Sequence, residues 1–226
     1  MLPGQLPAIV STILIFLVNA LLALLLTRYY IQDKKNVSYL LWSAGLRFFA
    51  IAVILEILFA FGVYSDFLVK VYLFTIAMPL LAFSLGHIQF VKSERIKKYY
   101  YYYCIAFAFF LLYALYTSNV SNLLTNYVVY GRLPQLVYLG SSILTLSASA
   151  VLFLVAFGLY SKRKEKLFLA IIPGVIVFWV ANIIHIEISQ LFIYYLDLLA
   201  IIFIWLALVG FTKIRKMQSV NSGNPS

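Results

Sequence analysis

Acidic side chains are scarce in this chain: 7 Asp and Glu among 226 residues, against 17 Lys and Arg. Charged residues of both signs make up 11% of the chain and hydrophobic ones 65%. An ordinary soluble domain is about 45–50% apolar and about 25% charged. A water-soluble core is therefore excluded, and a bilayer is the natural solvent. The single cysteine, Cys104, excludes an internal disulfide. It lies in an apolar segment and reads as packing. No H-E-x-x-H, G-x-S-x-G or glycine-rich phosphate loop occurs. The two histidines, His87 near the inner end of helix 3 and His185 in the outer part of helix 6, are expected at opposite depths, so they cannot together clamp one haem or metal. No cofactor, metal site or catalytic group is expected. The alternating segments of about 10 residues that mark a membrane β-barrel are also missing.

What is present is a series of long apolar runs. A membrane helix needs roughly 20 mostly apolar residues. Seven segments qualify, at about 6–29, 38–63, 66–91, 99–117, 134–160, 167–192 and 195–213. The expected fold is all-α, a polytopic seven-helix membrane bundle over residues 1–217, with a disordered tail at 218–226.

Charge gives the expected orientation. Fourteen of the 17 basic residues follow helices 1, 3, 5 and 7, for example Arg28, Lys34 and Lys35, or Lys92, Arg95, Lys97 and Lys98. Those are alternate loops and lie on one side. Cytoplasmic loops carry the Lys/Arg excess, which places the N-terminus outside and the C-terminus inside. The expected partners of this charge are anionic membrane lipids. No basic domain exists apart from the loops, so no nucleic-acid partner is expected.

The chain also repeats itself. A shift of 131 residues aligns 3–68 with 134–199 without a gap. The densest agreement is Glu56/Glu187, Ile57/Ile188, Phe61/Phe192, Tyr64/Tyr195, Asp66/Asp197 and Leu68/Leu199. Residues 1–91 then form one three-helix unit and 134–213 a second, with 99–117 as the linking helix. Parallel repeats of this kind tend to hold their substrate site at the repeat interface.

The repeat puts Glu56, Asp66, Glu187 and Asp197 toward the outer side. An Asp at a helix start accepts bonds from free backbone N–H groups and complements the helix dipole, which accounts for Asp66 and Asp197 without function. Lys70, one turn on, is a natural partner of Asp66. Glu56 and Glu187 lie within their helices, where a carboxylate is costly unless it is paired or wet. Arg47, near the middle of helix 2, is expected to face the bundle interior and to hold a partner, with the amide of Asn19 at comparable depth. His185 lies close to Glu187 in sequence. Together these residues outline an outward vestibule for a small solute or ion.

Helix 5 carries a row of small residues from Gly140 to Ala150, which reads as a packing seam. Pro79 and Pro173 are expected to kink their helices. Tyr99 to Tyr103 are expected at the inner interface.

Seven helices in a three-one-three pattern resemble two known groups. Y-L-F-T-I-A-M-P-L-L, from Tyr72 to Leu81, is similar to the third helix of microbial rhodopsins. Asp197 is similar to the Asp that precedes their retinal lysine by one turn, but that place here is Ile201. This resemblance implies the bundle and not a retinal Schiff base. Pro134-Gln135 matches the dipeptide of the PQ-loop and sugar-transporter class, with Pro3-Gly4 at the corresponding place in the first unit. That resemblance implies a solute carrier. Three function classes follow, in this order: solute or ion handling by a non-enzyme; a sensor or accessory subunit whose partner is another membrane chain; and a haem-binding redox subunit.

Overall fold

A computed structural model describes residues 5–125, 128–129, 132–163, 169–170, 172–177, 196, 199–200 and 202–206. Five long helices fill most of this: α1 (Gln5–Gln32), α2 (Val37–Ala60), α3 (Asp66–His87), α4 (Glu94–Thr117) and α5 (Gln135–Arg163). Each is long and apolar enough to cross a membrane. Two 3-10 turns, Ile88–Phe90 and Ser121–Leu123, and a two-residue antiparallel ladder, β1 (Leu124–Thr125) with β2 (Val128–Val129), are also present, and residues 172–177, 199–200 and 202–206 are helical. The expected spans at 167–192 and 195–213, and the tail at 218–226, lie largely or wholly outside the described residues.

Helix ends follow local chemistry more than hydropathy. α2 stops at Ala60, and Gly62 then turns the chain with φ +80°, a region glycine enters without a Cβ penalty. α4 starts at Glu94, five residues before the hydropathy boundary at 99. The Ser93 hydroxyl accepts from the Ile96 N–H at 3.4 Å, and Glu94 sits in the first turn, which favours negative charge. Arg95, Lys97 and Lys98 therefore stand on α4 and not in a loop.

Short connections make α1 to α4 successively antiparallel, and the longer connection after α4 returns the chain into α5. The ends at Gln32, Val37, His87, Glu94 and Arg163 gather on one side of the bundle. Arg28, Lys34, Lys35, Lys92, Arg95, Lys98 and Lys162 are exposed there. We call this the basic end, and the opposite side, which carries Glu56 and Asp66, the acidic end.

α3 is the central helix and packs against α2, α4 and α5. Every residue from Met78 to Ser84 is buried, and the helix runs through Pro79 as one element. α1 lies chiefly on α2. One core cluster joins α1, α2 and α3 through Ile15, Leu22, Trp42, Leu46 and Phe83. A second joins α2, α3 and α4 through Phe59, Leu73, Leu81 and Leu111. The connection after α4 folds over the second cluster, with Val120, Leu123 and Val129 buried. The small residues of α5 serve close packing: a Cβ on Gly140 would meet the Phe110 ring at 3.2 Å, and Ala148 and Ser149 are buried.

Where both copies are described, in α1 and α5, the duplicated text is not matched by duplicated packing. Shifted by 131 residues, α1 ends where α5 ends. Yet Ile15 is 1% exposed and its counterpart Leu146 58%, while Ala23 is 4% exposed and its counterpart Leu154 73%. α1 faces α2, whereas α5 faces α3 and α4, so the two helices bury different sides.

Candidate functional site

Two polar groupings inside the spanning segments include residues expected at the site; Ser84 with Tyr100, 2.7 Å apart between α3 and α4, is a further one. The first joins α1 to α2. Thr27 Oγ1 lies 2.8 Å from Ser43 Oγ and donates to Ala23 O at 2.7 Å. Ser43 Oγ also reaches Ala23 O at 3.0 Å. Arg47, one turn after Ser43, donates from Nη2 to Thr27 Oγ1 at 3.0 Å. Its side chain therefore runs back one turn toward the basic end.

Arg47 does not face the bundle interior. It is exposed, on the same stripe of α2 as exposed Leu40, Ile51 and Ile54. Its partner is a neutral hydroxyl, and no carboxylate meets it among the described residues. An arginine at the centre of a membrane helix costs on the order of 3 kcal/mol on insertion scales, and one hydrogen bond to a hydroxyl offsets only part of that.

Asn19 is not the partner of Arg47. It is fully buried two turns from Thr27 along α1, and its Nδ2 donates to Ile15 O at 2.7 Å. Its Oδ1 has no partner among the described residues. A buried acceptor left unpaired costs about 1–3 kcal/mol. Asn19→Leu is thus expected to be neutral or to stabilise by about 1 kcal/mol, read as the thermal midpoint in detergent. A fall of several degrees would show that Oδ1 is occupied.

The second grouping joins α2 to α3 at the acidic end. Tyr72 donates its hydroxyl to Glu56 Oε1 at 2.8 Å, in a partly buried position. Asp66 is not drawn into this pair. It is exposed in the first turn of α3. The expected capping role falls to Ser65, whose hydroxyl accepts from the Leu68 N–H at 3.2 Å. Lys70 does not pair with Asp66 either. Its Nζ donates to Tyr116 O at 3.3 Å, where the C-terminal end of α4 offers unpaired carbonyls and a negative dipole pole. The one ion pair among the described residues is Lys97–Glu94, at 2.7 Å. Glu187, Asp197 and His185 lie outside the described residues. Of the outlined vestibule, the structure describes Glu56, Asp66 and Arg47, and no bond links the three among the described residues.

Tyr72, Thr27 and Ser43 were missed by sequence reading. Ser43 and Arg47 share a helix face by their spacing, but hydroxyls in a membrane helix are common. With 18 tyrosines in the chain, nothing singles out Tyr72. The Glu56–Tyr72 bond has a measurable value. Tyr72→Phe is expected to destabilise by about 1–3 kcal/mol, because it leaves a partly buried carboxyl without its donor. Glu56→Gln keeps an acceptor and is expected to cost less than half as much. Equal losses in a thermal melt would show that the phenol is not the group that holds Glu56.

At the basic end His87 is fully buried. Its Nδ1 lies 2.8 Å from Phe83 O and 3.2 Å from Trp42 Nε1. The nitrogen donates to the first or accepts from the second, according to tautomer. Nearby, a groove of about 350 Å³ is lined by Gln89, Glu94, Lys97, Lys98, Tyr101 and Ile105, among others. Lys98 Nζ stands 5.9 Å from the centre of the Tyr102 ring.

No protein-family model, curated protein or solved structure matches this chain. The likeness to microbial rhodopsins and to PQ-loop carriers therefore has no family match behind it, and function rests on the residues themselves.

Proposed function

We propose that this chain is a seven-span membrane protein, N-terminus outside, that works as a sensor or accessory subunit docked to another membrane protein. The observation that carries this reading is Arg47: a cation on an exposed face of a spanning helix, satisfied by a single hydroxyl among the described residues. Such a group is costly against lipid and inexpensive against a complementary surface. The basic end supports the orientation, since its lysines and arginines would sit among cytoplasmic anionic headgroups. Under this reading the groove where Lys97 and Lys98 stand beside Glu94 faces those headgroups.

Extraction of native membranes in mild detergent, followed by light-scattering mass measurement, tests the reading. The expected particle is larger than one chain and holds a second protein in fixed stoichiometry. A monodisperse single chain that is also stable in liposomes would overturn it.

A second reading keeps the solute- or ion-handling vestibule, and one observation favours it. Glu56 is a carboxylate inside a spanning segment, held by Tyr72 across α2 and α3. Under this reading Glu56→Gln and Glu187→Gln each abolish uptake in liposomes. Wild-type behaviour of both variants would end it.

A further inference from the structure

We infer that the face formed where α1 meets α2 docks a transmembrane helix of a different protein, and that this helix carries a carboxylate opposite Arg47. The inference rests on the subunit reading above and names the chemistry of its partner. Three observations carry it.

The first is shape and composition. On α2, exposed Leu40, Ile51 and Ile54 lie within two turns of Arg47 on one stripe. On α1, exposed Leu24 and Ile31 flank Thr27 by one turn on either side. The Arg47–Thr27 bond ties the two stripes together. The result is an apolar face with one cation at its seam, which suits an apolar helix bearing a single acid.

The second is depth. Arg47 stands ten residues into α2, about 15 Å along its axis. Its head is held by Thr27 at the level of Ser43, still inside the spanning segment. A carboxylate on a neighbouring helix can meet the guanidinium at its own level in two parallel bonds.

The third weighs a second copy of this chain by its described acids. A parallel copy sets Arg47 against Arg47 at equal depth. Glu56 lies nine residues further along α2, about 13 Å away. The other described acids, Asp33, Asp66 and Glu94, stand in a loop or in a first helical turn. Among the described residues none supplies a carboxylate at the level of Arg47.

The experiment uses the full chain in its native membrane. A benzophenone side chain is placed at Leu40, Ile51 or Ile54, the membrane is irradiated, and the crosslinked peptide is identified. The expected product is an apolar segment of another protein with an Asp or Glu within about one helical turn of the crosslink. Arg47→Leu is expected to reduce the yield about tenfold or more, since removing one member of a buried charge pair strands the other. Arg47→Asp combined with Arg at the partner's acid is expected to restore it. Should Arg47→Leu lose its fold, Arg47→Gln keeps a donor for Thr27 without charge and carries the same expectation. A crosslinked segment with no acid, or a yield that ignores Arg47, overturns this inference and leaves the subunit reading standing. Crosslinks to lipid alone, with a co-purifying protein still present, also overturn it and assign Arg47 to a headgroup phosphate. The absence of any protein crosslink or co-purifying chain overturns both.

Discussion

Trp42→Ala is expected to cost about 3 kcal/mol, at the lower end of the range for large aromatic truncations in soluble cores. Trp42 is 1% exposed, and its ring packs within 5.2 Å of the His87 ring and 6.0 Å of the Phe90 ring, centre to centre. Tyr39 meets it edge-on at 5.9 Å. Truncation removes these contacts and the indole N–H beside His87 together. The lower end applies because the surrounding solvent is hydrocarbon. Little transfer energy from water is at stake, while the dispersion lost to an unfilled gap remains. For a chain of this size the thermal midpoint should fall on the order of 10 °C, measured in mild detergent by circular dichroism. A fall of a degree or less would mean that the aromatic cluster is not packed as described.

Gly86→Ala is expected to be nearly as damaging, although it adds one methyl group to a helix. A Cβ at Gly86 would overlap Trp42 Nε1 and Cδ1. The indole is hemmed in by Tyr39, His87 and Phe90, so it cannot swing aside as a surface side chain would. Overpacking of this kind costs about 1–3 kcal/mol and occasionally more. Against it stands the gain in helix propensity from Gly to Ala, about 1 kcal/mol. The clash wins while Trp42 is present. Once Trp42 is Ala, only the propensity gain is left, so the same substitution should change sign. In that background Gly86→Ala should stabilise by up to about 1 kcal/mol. Four proteins and one melting series test this. Simple additivity of the two single substitutions would sink the claim that glycine is required there by the indole.

Both predictions concern α2 against α3, and both depend on a contact that the sequence does not announce. Gly86 and Trp42 stand far apart in the chain, and no pattern in the sequence links them. The same holds at the candidate site. Arg47 is conspicuous in sequence because a cation among apolar residues breaks the pattern. In the structure it stands on an exposed stripe of α2 and reaches a hydroxyl of α1, with no carboxylate beside it among the described residues. Glu56 is conspicuous for the same reason, but its donor is one tyrosine among 18. Asp66 and Lys70 look like a helix pair by spacing, yet each has a better alternative. The dipole of α3 accommodates Asp66, and the open carbonyls that end α4 take Lys70.

The sequence by itself determined that this is a chain of membrane helices, where its first five helices run to within a few residues, and that the cations collect at one end. These are local matters. Apolar length, capping residues and charge are read by the solvent, one segment at a time. Only the tertiary structure decided which face of each helix is buried and which polar groups meet. In water a helix is apolar on its buried side, and that period can be read along the chain. In lipid both sides are apolar, so Ile15 and Leu146 look alike as text and differ from 1% to 58% in exposure. The choice between them is made by how closely neighbouring helices approach and by where a hydroxyl, an amide or a glycine happens to stand on the helix opposite.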